Sequence, residues 1–125
     1  MIERLDHLVL TVANIENTIA FYVNAFDMQE VTFKGDRKAL VFGNQKINLH
    51  QAGNEFEPKA KNPAPGSADL CFITDMPLED VVHKIQSHGI EVIEGPVERT
   101  GATDTIMSIY IRDPDGNLIE ISNTI

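Results

Sequence analysis

Ser108-Ile109-Tyr110-Ile111-Arg112-Asp113-Pro114-Asp115-Gly116-Asn117-Leu118-Ile119-Glu120-Ile121 is the stretch on which the fold of this chain turns. Asp-Pro-Asp-Gly-Asn sets a reversal: proline fixes one backbone dihedral, glycine admits the left-handed region, and Asp and Asn side chains bond their own backbone. Apolar and β-branched residues flank it on both sides, so the stretch predicts strand, tight turn and returning strand. Glu120 lies between Ile119 and Ile121, and the two-residue period of a strand turns its carboxylate to the face opposite those isoleucines. Taken alone it reads as a solvent-facing carboxylate on a half-buried strand.

Upstream of this hairpin, residues 68–73 read as a strand and Pro77 as a helix start, followed by an apolar stripe of Leu78, Val81, Val82 and Ile85 that stops at His88-Gly89. Residues 90–93 read as a strand interrupted by Gly95-Pro96, and residues 100–104 as a polar loop. With the hairpin strands 106–112 and 117–122, this half predicts β-α-β-β-β. The first half repeats the pattern. Residues 5–12 read as a strand, Asn14 as the N-cap of a helix over 15–26, and residues 28–34, 38–42 and 46–50 as three further strands. Residues 52–66 hold Gly53, Pro58, Pro63, Pro65 and Gly66 without any sustained period, and read as a connecting loop, linker or lid. The predicted fold is α+β, one domain over 1–125 built from two βαβββ modules, about 4–52 and 67–123, joined by the loop 53–66.

Asp69 lies 62 residues after His7, which makes these two residues partners on the first strands of the modules. Aligning Leu40-Val41-Phe42-Gly43 with Tyr110-Ile111-Arg112-Asp113 takes an offset of 70 and makes Glu120 the partner of His50. If the modules pack about a pseudo-twofold axis, His7, His50, Asp69 and Glu120 converge, and two imidazoles with two carboxylates suit a divalent transition metal such as Ni, Zn, Co, Mn or Fe(II).

Composition narrows the function. A net charge of −9 argues against nucleic-acid and anionic-membrane partners, which need clustered positive surface, and leaves a small molecule as the expected partner. The single Cys71 can form no internal disulfide and lies in the apolar run Leu70-Cys71-Phe72-Ile73, so it reads as a buried, inert thiol in a reducing compartment. No apolar run reaches the roughly 20 residues of a membrane span, and the expected location is cytoplasmic. His83 and His88 read as surface residues, and Glu91, Glu94 and Glu98 as a solvated face.

Paired βαβββ modules, a His in the first strand, and Tyr110-x-x-Asp113-Pro114-Asp115-Gly116-Asn117-x-x-Glu120 resemble the vicinal oxygen chelate superfamily of glyoxalase I, extradiol dioxygenases and fosfomycin or bleomycin resistance proteins. Within it, Arg37-Lys38-Ala39-Leu40, Asn48-Leu49-His50, Arg99-Thr100-Gly101-Ala102 and Met107-Ser108-Ile109-Tyr110 are most similar to the glyoxalase domain-containing protein 5 subgroup. The resemblance implies concave sheets around a metal, with His7, His50, Asp69 and Glu120 at ligand positions. His50 stands where glyoxalase I-like enzymes commonly carry Glu, and Asp69 where most metal-binding members carry His. It implies a homodimer, and a lyase or isomerase chemistry in which the ion chelates adjacent substrate oxygens, stabilises an enediolate, and Glu120 or Asp69 moves the proton. Of the glutathione contacts of glyoxalase I, Thr11 stands where an Arg is usual, whereas Asn54 matches a contacting Asn. Two other functions accompany the family. His7, His50 and Glu120 would form the two-His-one-carboxylate set of an Fe(II) extradiol dioxygenase, with Tyr110 touching substrate, and several members only sequester a ligand. Arg99, beside Thr100-Gly101, is the cation expected to meet an anionic substrate.

Overall fold

The computed structural model describes residues 1–125 and divides them into two compact units, Met1–Gly66 and Ser67–Ile125. In the first unit, Asn14 takes extended backbone and its side chain accepts from the Asn17 amide at 2.9 Å, launching helix α1 (Ile15–Phe26) after strand β1 (His7–Val12). The helix ends at Asp27, which adopts the left-handed conformation (φ 58°) and returns its amide to Tyr22 and Val23. Strands β2 (Gln29–Phe33), β3 (Arg37–Phe42) and β4 (Gln45–Gln51) follow, and the sheet order is β1-β4-β3-β2, with β1 parallel to β4 and the other pairs antiparallel. Leu10, Val12, Leu40, Ile47 and Leu49 face α1 and are buried with its Ile19, Tyr22 and Ala25.

The second unit repeats the plan with β5 (Asp69–Ile73), α2 (Leu78–Ser87), β6 (Glu94–Thr100), β7 (Thr105–Arg112) and β8 (Leu118–Thr124), in the order β5-β8-β7-β6. The fold is α+β, two similar βαβββ modules, as the periodicities predict. The turn that anchors the reading is built around one carboxylate. Asp113 Oδ1 accepts from the Asp115 and Asn117 amides at 2.9 and 3.0 Å, and Oδ2 accepts from Asn117 Nδ2 at 2.8 Å. Asn117 Oδ1 then takes the Ala68 amide at 2.8 Å, tying the turn to the start of β5.

Three expectations need correction. The strand placed at 90–93 begins instead at Glu94 and runs through Gly95-Pro96 to Thr100, with a shift of register between Glu94 and Val97. Because β6 is an edge strand, Pro96 sits at a bulge where its missing N–H costs no ladder bond. Gly95 (φ +105°) is required there, since a Cβ would lie 2.4 Å from the Ser108 carbonyl. Arg99 is the last residue but one of this strand.

The second correction concerns the repeat. His7 pairs with Lys46 and Asp69 with Leu118, so while the first strands are offset by 62 residues, the last strands are offset by 72, not 70. The capping side chains agree: Gln51 Oε1 accepts from the first amide of α1 at 3.2 Å, and Asn123 Oδ1, 72 residues on, accepts from the first amide of α2 at 2.9 Å. The register therefore makes Asn48 the counterpart of Glu120, and Ser122 that of His50. Alignment on Gly43 and Asp113 failed because the β3–β4 connection is a two-residue turn, Gly43-Asn44, whereas Arg112 and Leu118 pair across a five-residue one. Third, Cys71 is exposed: β5 is an edge strand, and Cys71 lies on the side opposite α2. His83 and His88 are exposed as expected.

Candidate functional site

In the second unit, strand alternation and pairing set Cys71, Ile106, Ser108, Tyr110, Glu120 and Ser122 on the face opposite α2, with Tyr110 directly across from Glu120 and Ser108 across from Ser122. Ser108 Oγ donates to Glu120 Oε2 at 2.6 Å and lies 2.7 Å from Ser122 Oγ, which in turn lies 3.5 Å from Cys71 Sγ. Each hydroxyl has one proton. With that of Ser108 committed to the carboxylate, Ser122 donates to Ser108, and the Cys71 thiol donates to Ser122. Ser108 and Ser122 are fully buried, so the chain of bonds fixes one oxygen of Glu120 and leaves the other open. Partial burial pushes the Cys71 thiol above its ordinary pKa, and the Glu120 and Asp69 charges add to the shift.

Glu120 opens onto a pocket of about 400 Å³ lined by Cys71, Arg99, Thr103, Ile106 and Tyr110 among others. Arg99 Nε donates to the Tyr110 hydroxyl at 3.0 Å, Nη1 to the Glu98 carbonyl at 3.1 Å, and Nη2 meets Glu94 at 2.6 Å. Glu94 is therefore an ion-pair partner rather than part of a solvated face. Because Tyr110 accepts from a cation, its own proton is free to donate to a ligand. Asp69 is exposed on the same face, one strand over, two residues before the position that pairs with Glu120.

In the first unit, His7 is exposed, and its Nδ1 lies 2.8 Å from Asp6 Oδ2. That contact holds the Asp6 carboxyl below its usual pKa, through the hydrogen bond to His7 first, and leaves His7 Nε2 free. His50 is different. It is 9% exposed, its ring meets Phe56 edge-on at 5.6 Å, and the Arg37 guanidinium covers the same Phe56 ring at 4.1 Å. His50 pairs with Thr11, four residues along β1 from His7, an interval of about 13 Å at strand spacing. Asn54 lies just past β4, its amide bonded to the Gln51 carbonyl at 2.9 Å. Nowhere in the chain do three or more His, Cys, Asp or Glu side chains gather into a ready metal cage. No helix is long and apolar enough to cross a membrane.

Sequence reasoning missed Ser108 and Ser122, although both were accessible through the hairpin: a turn at 113–117 pairs Ser108 with Ser122 automatically.

This fold and this arrangement of side chains fall within a recognised class. Residues 4–121 match the Glyoxalase/Bleomycin resistance protein/Dioxygenase superfamily, and the chain belongs to it. It is similar to virulence protein STM3117 of Salmonella typhimurium (strain LT2), 67% identical over 98% of this chain and 85% of that protein. The crystal structure of STM3117 superposes with a TM-score of 0.98, covering 100% of this chain and 99% of that one. Glyoxalase domain-containing protein RDO1 of Mycosarcoma maydis is 56% identical over 98% of this chain and 69% of that protein. The fold alone is shared with lactoylglutathione lyase of Agrobacterium tumefaciens (21% identity, TM-score 0.72, 96% and 92% covered). It is also shared with the fosfomycin resistance protein FosX of Listeria monocytogenes, solved with Mn(II) and sulfate (23%, 0.70, 100% and 93%).

Proposed function

We propose that the chain is a divalent-metal-dependent, glyoxalase-like enzyme whose metal donors are His7, Asp69 and Glu120. The observation that supports it most is the buried Ser108–Ser122 pair, which fixes one oxygen of Glu120 and leaves the other toward a pocket that Tyr110 and Arg99 also line. Two features of the donors support the set: His7 keeps Nε2 free while Asp6 holds Nδ1, the pattern of a ligating imidazole, and Asp69 is exposed. His50 was the fourth residue of the set read from sequence. Its packing against Phe56 and the place of Asn48 in the register favour a structural role for it.

When bound, a divalent ion would supply Lewis acidity toward two adjacent substrate oxygens, a hydroxyl and a carbonyl. Glu120 or Asp69 removes the proton from the carbon next to the carbonyl and returns it to the neighbouring carbon, an isomerisation. Tyr110 donates its free proton in a hydrogen bond to the oxygen on which charge develops. Arg99, exchanging Glu94 for an anionic group of the substrate, orients it, and Asn54 is the candidate contact for a glutathione moiety. A homodimer is part of the same proposal: Val9 on edge strand β1 and Ile73 on edge strand β5 are 45% and 56% exposed and are apolar surface that pairing would cover.

The test is a pair of assays on metal-loaded protein: hemithioacetal isomerisation with Ni(II) or Zn(II), and catechol ring opening with Fe(II) and O₂. Isomerisation that falls at least about a hundredfold in Glu120→Gln is expected. Ring opening without isomerisation would assign the dioxygenase chemistry instead. Inactivity in both, with tight retention of a small molecule, would assign a sequestering protein.

A further inference from the structure

Asn48 Oδ1 is the one buried side-chain oxygen or nitrogen in the chain with no hydrogen-bond partner. It sits in the middle of β4, on the face opposite α1, with Ala39 across one neighbouring strand and Val9 across the other. Neither can donate a side-chain hydrogen bond. Along β4 its same-face neighbours are Lys46 and His50, and both are engaged elsewhere. The Lys46 ammonium lies 4.0 Å over the Phe33 ring, and the His50 ring packs on Phe56. An inward amide oxygen surrounded by groups that do not serve it is poor for stability, since buried acceptors in native proteins are nearly always satisfied. His7 lies on the same face, one strand away, two residues before the position that pairs with Asn48.

We propose that Asn48 Oδ1 is a substrate-recognition group that accepts a hydrogen bond from a hydroxyl of the bound small molecule. This rests on the proposed function, because the molecule is the one held through His7. An acceptor without a donor selects for ligands that bring one, and a site that hydrogen-bonds a hydroxyl rejects the analogue lacking it, because the buried group is then left bare. The ligand class that follows is an α-hydroxy carbonyl or α-hydroxy acid, in preference to a chelator made only of acceptors.

The experiment compares wild type, Asn48→Leu and Asn48→Asp in two measurements. Thermal unfolding of the metal-free chain is the first. Asn48→Leu, similar in volume and lacking the bare oxygen, is expected to melt at or above the wild-type temperature; a lower one would mean that Asn48 serves an internal partner and would overturn the proposal. The second is calorimetric titration with Mn²⁺, then of the Mn²⁺-loaded protein with glycolate, which offers a hydroxyl, and oxalate, which offers none. Asn48→Leu is expected to lose about tenfold in glycolate affinity, the effect of one ordinary hydrogen bond, with Mn²⁺ and oxalate changed by less than about threefold. Asn48→Asp, which retains an acceptor, is expected to keep the wild-type preference for glycolate. Equal losses for glycolate and oxalate, no preference for glycolate in the wild type, or a tenfold loss of Mn²⁺ affinity would each overturn the assignment, the last by placing Asn48 on the ion. If wild type takes up no metal at all, the proposed function fails, while the melting comparison still tests Asn48.

Discussion

Replacing Ser108 by Ala should weaken the protein and loosen its carboxylate at once. The hydroxyl is fully buried, donates to Glu120 Oε2 at 2.6 Å and accepts from Ser122 at 2.7 Å. A hydrogen bond to a charged acceptor contributes about 1.5–3 kcal/mol, and the stranded Ser122 proton adds a smaller cost. Removing the hydroxyl also removes its own desolvation, so the expected net loss is about 2–3 kcal/mol. For a chain of 125 residues that is a fall in Tm of about 8–12 °C. Urea unfolding should show a lower midpoint with an unchanged m-value, because the surface exposed on unfolding is the same. A cycle with Glu120→Gln should give a coupling of about 1–2 kcal/mol, and Ser108→Thr, which retains the hydroxyl, should recover most of the loss. Since partners that orient a ligating side chain commonly change metal affinity by about 10–100-fold, Ser108→Ala should also weaken Mn²⁺ binding within that range. A stability loss below about 0.5 kcal/mol with no coupling to Glu120 would refute the view that this bond fixes the carboxylate.

Two further outcomes follow from the same unit. Asn117→Ala removes the links from Asn117 to Ala68 and to Asp113 in a side chain 1% exposed, and should cost about 2–4 kcal/mol in urea unfolding; a loss under about 1 kcal/mol would show that the turn holds without it. Cys71 should react with iodoacetamide only as the pH rises past that of an ordinary thiol, because its raised pKa keeps it protonated. The sign for stability is the same: the native state holds the thiol proton more tightly, so this contribution is present below the unfolded thiol pKa and is lost as pH rises through the folded one. Alkylation that is already fast at neutral pH would contradict it.

The sequence made both helices legible for local reasons. Asn14 caps α1, an apolar stripe continues it, and Asp27 and Gly89 lie just beyond the ends of the helices. The Asp113–Asn117 turn was equally readable, since its residues bond to one another. What failed was non-local. Pro96 looked like an interruption because nothing in sequence says that β6 is an edge strand, where proline is tolerated. Cys71 looked buried because an apolar run does not reveal which of its faces is covered. His50 looked like the partner of Glu120 because motif letters were aligned across hairpins of different length, whereas pairing and capping align Asn48 with it. Ser108 carries no signal alone and acquires a role only from what stands across the ladder.

The most direct test of the account is the metal content of the chain purified without chelators, with Mn²⁺, Ni²⁺ and Zn²⁺ titrations of wild type, Glu120→Gln, His7→Ala and His50→Ala. The account predicts one transition-metal ion per site, affinity falling at least about tenfold in Glu120→Gln and His7→Ala, and His50→Ala binding nearly as wild type. A chain that takes up no metal and gains no thermal stability from any of the three ions would contradict it.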